Sequence, residues 1–122
     1  MFEVGAVISV RAFHRMPEEP PPEDRRHPHD YRVEVVAERE RLDERGMVVN
    51  LDVLTRSLAE VAGAMRDRDL WDVCETDAVT VEVLAAWIHE RLAAPLRGDG
   101  AERVAVRVWE SEDAFGGANG EV

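Results

Sequence analysis

Arg25-Arg26-His27-Pro28-His29-Asp30-Tyr31 is the stretch from which the fold and the chemistry of this chain are read. Two histidines separated by one residue enter an apolar run, and side chains on a strand repeat every two residues, so both rings point the same way. Tyr31, Val33, Val35 and Ala37 continue that face, and Asp30, Arg32, Glu34 and Glu38 occupy the other. The alternation predicts a strand over residues 27–41. An earlier run, residues 2–14, has Val4, Ala6, Ile8, Val10 and Ala12 on one face, and His14 ends it on that same face. Gly5, Ser9 and Arg11 lie opposite, with Val7 and Phe13 as exceptions. If the two strands form an antiparallel hairpin, the end of the first lies across from the start of the second. Three imidazoles then converge, as a zinc site with an open fourth position requires. The blander reading of the same residues is a set of polar strand ends.

Between the strands, residues 15–26 read as a loop. Pro17, Pro20, Pro21 and Pro22 forbid a sheet interior, and Glu18, Glu19, Glu23 and Asp24 keep it solvated. A loop of this length in a small domain is often functional; the alternative is an unstructured surface hairpin. Beyond the second strand, Leu42–Gly46 is a turn and Met47–Val49 is short and extended. Asn50 is the expected N-cap of a helix whose apolar residues Leu51, Leu54, Leu58, Val61/Ala62 and Met65 recur at helical spacing to about Asp67. Residues 66–79 read as irregular. Thr80 is the expected cap of a second helix marked by Leu84, Trp87, Ile88, Arg91 and Leu92 and stopped by Pro95. Val104, Val106 and Val108 define a third strand over 102–110, and Glu110 ends its apolar face, an unusual place for a carboxylate. Residues 114–119 predict a short fourth strand that frays. His89 has no evident partner and is expected at the surface; Cys74 and Trp87 are expected to be structural.

A chain of 122 residues that is 45% hydrophobic suits a single domain over 1–122. Its formal charge of −11 argues against nucleic acid or an anionic membrane as partner. No apolar run approaches a membrane span, and no basic-then-apolar leader with a cleavage site is present. One cysteine excludes an internal disulfide and fits a reducing cytoplasm. All 15 basic residues are arginine, among which Arg25, Arg26, Arg66 and Arg68 are candidates for a phosphate contact or simply surface charge.

Five segments, in order, resemble the 6-pyruvoyl-tetrahydropterin synthase and 6-carboxy-tetrahydropterin synthase family. Val10-Arg11-Ala12-Phe13-His14 stands where that family ends its first strand in histidine. His27-Pro28-His29-Asp30-Tyr31 matches its His-Gly-His before an aromatic residue. Gly46-Met47-Val48-Val49-Asn50-Leu51 matches Gly-Met-Val-x-Asp-Phe, and Val79-Thr80-Val81-Glu82-Val83-Leu84-Ala85 matches Pro-Thr-x-Glu-x-Leu-Ala. Glu110 matches the glutamate that ends a strand. The resemblance implies an α+β tunnelling fold, a four-stranded antiparallel sheet with two helices on one face, assembled as trimers or hexamers. It implies zinc on His14, His27 and His29, with Glu110 holding the aminopyrimidine edge of a pterin and Thr80 shaping the ring pocket.

The departures bear on the reaction. The family's catalytic cysteine falls at Glu23, as in those members that carry glutamate there and cleave the side chain of 7,8-dihydroneopterin triphosphate. A glutamate beside zinc-bound substrate hydroxyls can act as general base. The family's Asp-His pair should fall near Met65-Arg66-Asp67, where no histidine stands, leaving Asp67 or Asp69 as the proton carrier. Pro28 replaces glycine, and Asn50-Leu51 replaces Asp-Phe. The resemblance thus implies a cytoplasmic, zinc-dependent lyase acting on 7,8-dihydroneopterin triphosphate or a related compound. The alternatives are a repurposed zinc aldolase or dehydratase of a specialised pathway, and a non-catalytic zinc- or pterin-binding paralogue.

Overall fold

The computed structural model describes all of residues 1–122. Strand β1 (Phe2–His14) pairs antiparallel with β2 (His27–Arg39), so the hairpin forms where alternation placed it. Helix α1 (Leu51–Met65) and a single turn, α2 (Leu70–Val73), follow, then α3 (Val81–Gly98), β3 (Arg103–Trp109) and β4 (Phe115–Glu121). The sheet order is β1-β2-β3-β4, antiparallel throughout. The register lines Ile8, Val33, Val108 and Gly116 into one row across it, and Val35, Val106 and Ala118 into another. This face carries the apolar core, completed by Leu54, Leu58, Met65, Leu84, Ile88 and Leu92 from the helices. No helix is long and apolar enough to cross a membrane.

Asn50 caps α1, its side chain accepting from the Asp52 amide at 2.8 Å. Thr80 caps α3, accepting from the Val83 amide at 3.1 Å. Both caps satisfy amides that the first helical turn leaves without partners. Leu51, first in its helix, is half exposed and takes no part in the buried stripe.

Several boundaries differ from the sequence reading. Strand β2 ends at Arg39, two residues early, and Met47–Val49 is no strand, although Val48 and Val49 are buried. Helix α1 stops at Met65 because Asp67 turns left-handed, φ 57°, and donates its amide to the Arg11 carbonyl at 2.8 Å. The irregular stretch contains α2 and a parallel bridge between Phe13 and Asp69.

Pro95 does not stop α3, which runs to Gly98. Pro95 lies on the exposed face of the last turn, where water can meet the carbonyl it leaves free, and fully buried Leu96 anchors the helix beyond it. Gly100 then ends the helix at φ 117°, with Ala101 N–H donating to the Leu96 carbonyl and Gly100 N–H to the Arg97 carbonyl. This is a Schellman closure that a residue with a Cβ enters only under strain.

Strand β4 does not fray. Gly116 is what lets α3 lie close: a Cβ there would sit 2.6 Å from Val81 Cγ2 and 3.0 Å from the Glu82 amide nitrogen. The strand pairs with β3 to Glu121, and Val122 N–H donates to the Glu102 carbonyl. His89 is half-buried rather than at the surface, with Nε2 3.0 Å from the Val104 carbonyl.

Candidate metal centre

His14 faces His27 across the hairpin, and His29 faces Ala12 one step further in. One ligand nitrogen from each histidine lies within 4.8 Å of the others. The His14 ring centroid is 4.4 Å from that of His27 and 4.7 Å from that of His29. Tyr31, fully buried, backs the cluster edge-on, 5.5 Å from the His29 ring.

Main-chain carbonyls orient two of the rings. His14 Nδ1 lies 3.2 Å from the Val79 carbonyl and His27 Nδ1 lies 2.7 Å from the Arg25 carbonyl. A carbonyl only accepts, so each Nδ1 carries the proton and each Nε2 keeps its lone pair for a ligand. His14 is 95% buried, from a relative exposure of 5%, yet its Nε2 has no hydrogen-bond partner. An orphaned imidazole lone pair in a nest of two others is a donor set that fits zinc.

Burial holds His14 below the ordinary imidazole pKa, assisted by the two neighbouring histidines and opposed by the Val79 carbonyl and Glu110. His29 is lowered for the same first reason, with Glu110 pulling the other way. Both rings therefore stay neutral, the form that binds metal, to lower pH than a free histidine.

The histidines form one wall of an open cleft of about 490 Å³, lined also by Met16, Glu19, Glu23, Thr80, Val81, Glu82 and Glu110. The 15–26 loop reaches it through internal turns. Met16 N–H donates to the Glu23 carbonyl at 2.9 Å, and Glu23 and Arg25 amides donate to the Pro20 and Pro22 carbonyls. Arg26 ties the loop's end down, its guanidinium 3.7 Å from the centre of the Phe13 ring and its Nε donating to Asp69 at 2.7 Å.

Thr80 spends one oxygen lone pair on the helix cap and retains the other, together with a hydroxyl proton to donate. Glu110 lies just beyond β3, at the end of its buried face, and its charge raises the Tyr31 pKa further after burial has already done so.

Among the residues singled out from the sequence, His14, His27, His29, Glu23, Thr80 and Glu110 share one cleft, whereas Asp69 and the four candidate arginines do not line it. Asp67 does not line it; its exposed position at the end of α1 serves the backbone corner beside Arg11. Met16, Glu19, Val81 and Glu82 line the cleft without having been singled out. Glu82 carried a signal, an acid in the first turn of a Thr-capped helix, whereas nothing set Glu19 apart in an acidic loop. Cys74 does not line the cleft, and burial pushes its thiol up to about 11, so it is no activated nucleophile.

No curated protein matches the sequence. Among solved structures, 6-pyruvoyl tetrahydropterin synthase from Caenorhabditis elegans is similar, with a TM-score of 0.73 and 20% identity over 98% of this chain and 96% of that one. A Plasmodium vivax 6-pyruvoyltetrahydropterin synthase in which a catalytic glutamate is replaced by alanine gives a TM-score of 0.77 at 11% identity, covering 100% of both chains. The Plasmodium falciparum synthase gives 0.76 at 11% identity, over 98% of this chain and 99% of that one. These likenesses bear on the fold, the tunnelling arrangement of a four-stranded antiparallel sheet with helices packed on it. The 6-pyruvoyl tetrahydropterin synthase family model matches residues 6–121, nearly the whole chain, and the protein is a divergent member of that family.

Proposed function

We propose that the protein is a zinc-dependent lyase acting on a 7,8-dihydropterin with an oxygenated side chain, in the manner of 7,8-dihydroneopterin triphosphate. The observation that carries this reading is the orphaned, buried His14 Nε2, set among two further imidazoles in the cleft that also holds Glu23, Thr80 and Glu110. His14, His27 and His29 would hold the zinc, which when bound polarises side-chain oxygens and makes their protons easier to remove. Glu110 accepts two hydrogen bonds from the aminopyrimidine edge and fixes the ring. Thr80 donates its hydroxyl proton to the same ring. Glu23, which lines the same cleft, takes a proton from the side chain and returns it to the product. The catalytic glutamate of the P. vivax relative supports that role for Glu23.

A second reading keeps the metal and changes the substrate: a repurposed aldolase or dehydratase. It is favoured by Asp67, which stands outside the cleft with no histidine beside it. In either reading the substrate is small, and the unpaired outer edges of β1 and β4 give the chain reason to assemble with copies of itself, as a trimer or hexamer.

Turnover of dihydropterins by the zinc-loaded protein tests the first reading, with Glu23→Gln alongside. The variant is expected to keep its metal and lose turnover by about a hundredfold or more. Unchanged turnover removes Glu23 from the mechanism.

A further inference from the structure

We infer that Arg26 and Asp69 form a clamp that positions His27 for the metal, so that zinc affinity depends on two side chains that do not line the cleft. The inference rests on the zinc reading of the histidine cluster and adds two positioning residues to it. The end of the hairpin that carries the histidines projects beyond the four-stranded sheet. Strand β2 pairs with β1 from Arg39 to His27, but with β3 only from Glu38 to Arg32. In hydrogen bonding, residues 27–31 therefore belong to a two-stranded ribbon, and such a ribbon is marginal in water without further support.

The corner after α1 supplies that support. It docks on the edge of β1 that faces away from β2. The Asp67 amide donates to the Arg11 carbonyl at 2.8 Å, the Phe13 amide donates to the Arg68 carbonyl at 2.9 Å, and Phe13 and Asp69 form a parallel bridge. These bonds hold β1 and its His14. One hydrogen bond goes past β1 toward the strand that bears His27 and His29, from Arg26 Nε to the Asp69 carboxylate at 2.7 Å. On the way the Arg26 guanidinium crosses the Phe13 ring, 3.7 Å from its centre. Phe13 faces Pro28 in the register, one pair in from His14 and His27. By the alternation of side chains, the clamp closes over the face of the ribbon opposite the histidines.

The clamp acts on His27 through one peptide. His27 Nδ1 lies 2.7 Å from the Arg25 carbonyl, and that carbonyl shares a rigid plane with the Arg26 nitrogen. Pinning the Arg26 side chain steadies that plane. The plane in turn holds the imidazole in the tautomer and orientation that leave Nε2 for the ion. As a pair of charges, Arg26 and Asp69 are exposed enough to contribute little. Their effect is geometric, because a planar guanidinium can lie flat on an aromatic ring while one of its N–H groups is directed at a carboxylate.

The test is zinc affinity, measured by competition with a chelator on the protein in its native assembly. Beside it stands nitrogen NMR of the imidazoles in zinc-free protein at about pH 8, where they are neutral. Arg26→Ala and Asp69→Ala are each expected to raise the zinc Kd about tenfold or more. The double variant should fall no further than either one, because the two residues act as a unit. Wild-type His27 should carry its proton on Nδ1, and the Nε2-protonated form should gain in both variants. The signs separate geometry from charge: acting by charge alone, loss of the Arg26 cation would tighten zinc binding. Tighter or unchanged affinity in Arg26→Ala therefore overturns the inference and leaves the zinc site standing. Weaker binding with an unchanged His27 tautomer overturns it too, as the mark of general loosening. Should Arg26→Ala not fold, Asp69→Ala decides by the same tautomer reading. Wild-type protein that takes up no zinc overturns the zinc reading and this inference with it.

Discussion

The floor of the cleft and its rim are built by different physics. On the floor, His14, His27 and Tyr31 sit on paired strands, and two of the rings are further tied to main-chain carbonyls. On the rim, Glu19 and Glu23 come from a loop closed by a few turn hydrogen bonds, and both are exposed. In the proposed function, the groups that would hold one ion are on the sheet, and those that would meet the substrate and exchange protons with it are on the loop, the helix end and the end of β3. Stability and chemistry should therefore separate when each region is cut.

The largest effect on stability is expected at the floor. Tyr31→Ala empties a fully buried site behind the histidines and should cost about 3–5 kcal/mol in urea unfolding. A loss under about 1 kcal/mol would mean that the floor is not the rigid part.

The join between floor and rim comes next. Gly116→Ala drives a methyl group toward Val81 and the Glu82 backbone, and should cost about 1–3 kcal/mol while disturbing the rim at the start of α3. A neutral result would show that α3 can retreat from β4 freely.

Zinc-free protein should also lose stability as pH falls. The unfolded chain takes up protons at the ordinary histidine value of 6.5, whereas buried His14 and His29 resist protonation until lower pH. The unfolded state thus binds more protons across that window. Stability is fully present above it, declines as pH drops through about 6.5, and levels off once the native histidines charge. Urea melts after chelation, from pH 8 downward, check this, and a flat profile between pH 7 and pH 6 would contradict it.

The smallest effect is expected at the rim. Glu23→Gln should leave stability within about 0.5 kcal/mol of wild type, whatever it does to turnover. A larger loss would make Glu23 part of the frame.

The same division explains what could be read from the sequence. The histidine cluster was legible because a period of two and a hairpin are sufficient to bring His14 opposite His27. Glu110 and Thr80 were legible as a carboxylate ending an apolar face and a helix cap. Glu19 was not, because turn geometry and not residue type decides which acid of a loop faces the cleft. Strand β4 was underrated because Phe-Gly-Gly-Ala-Asn-Gly has little strand propensity of its own. Its Gly116 matters through the helix above it, a tertiary fact. Pro95 misled for the converse reason: burial of Leu96 outweighs a local breaker in a last turn. Asp67 was placed by matching a motif whose histidine is missing, and it stands outside the cleft that the motif would have served.

The central claim, a zinc ion on three histidines of one hairpin, is tested most directly by elemental analysis of untagged protein beside His29→Ala. About one zinc per chain in the wild type, lost in the variant, is the result predicted. Wild-type protein that carries no zinc and takes up none when it is supplied would contradict the account.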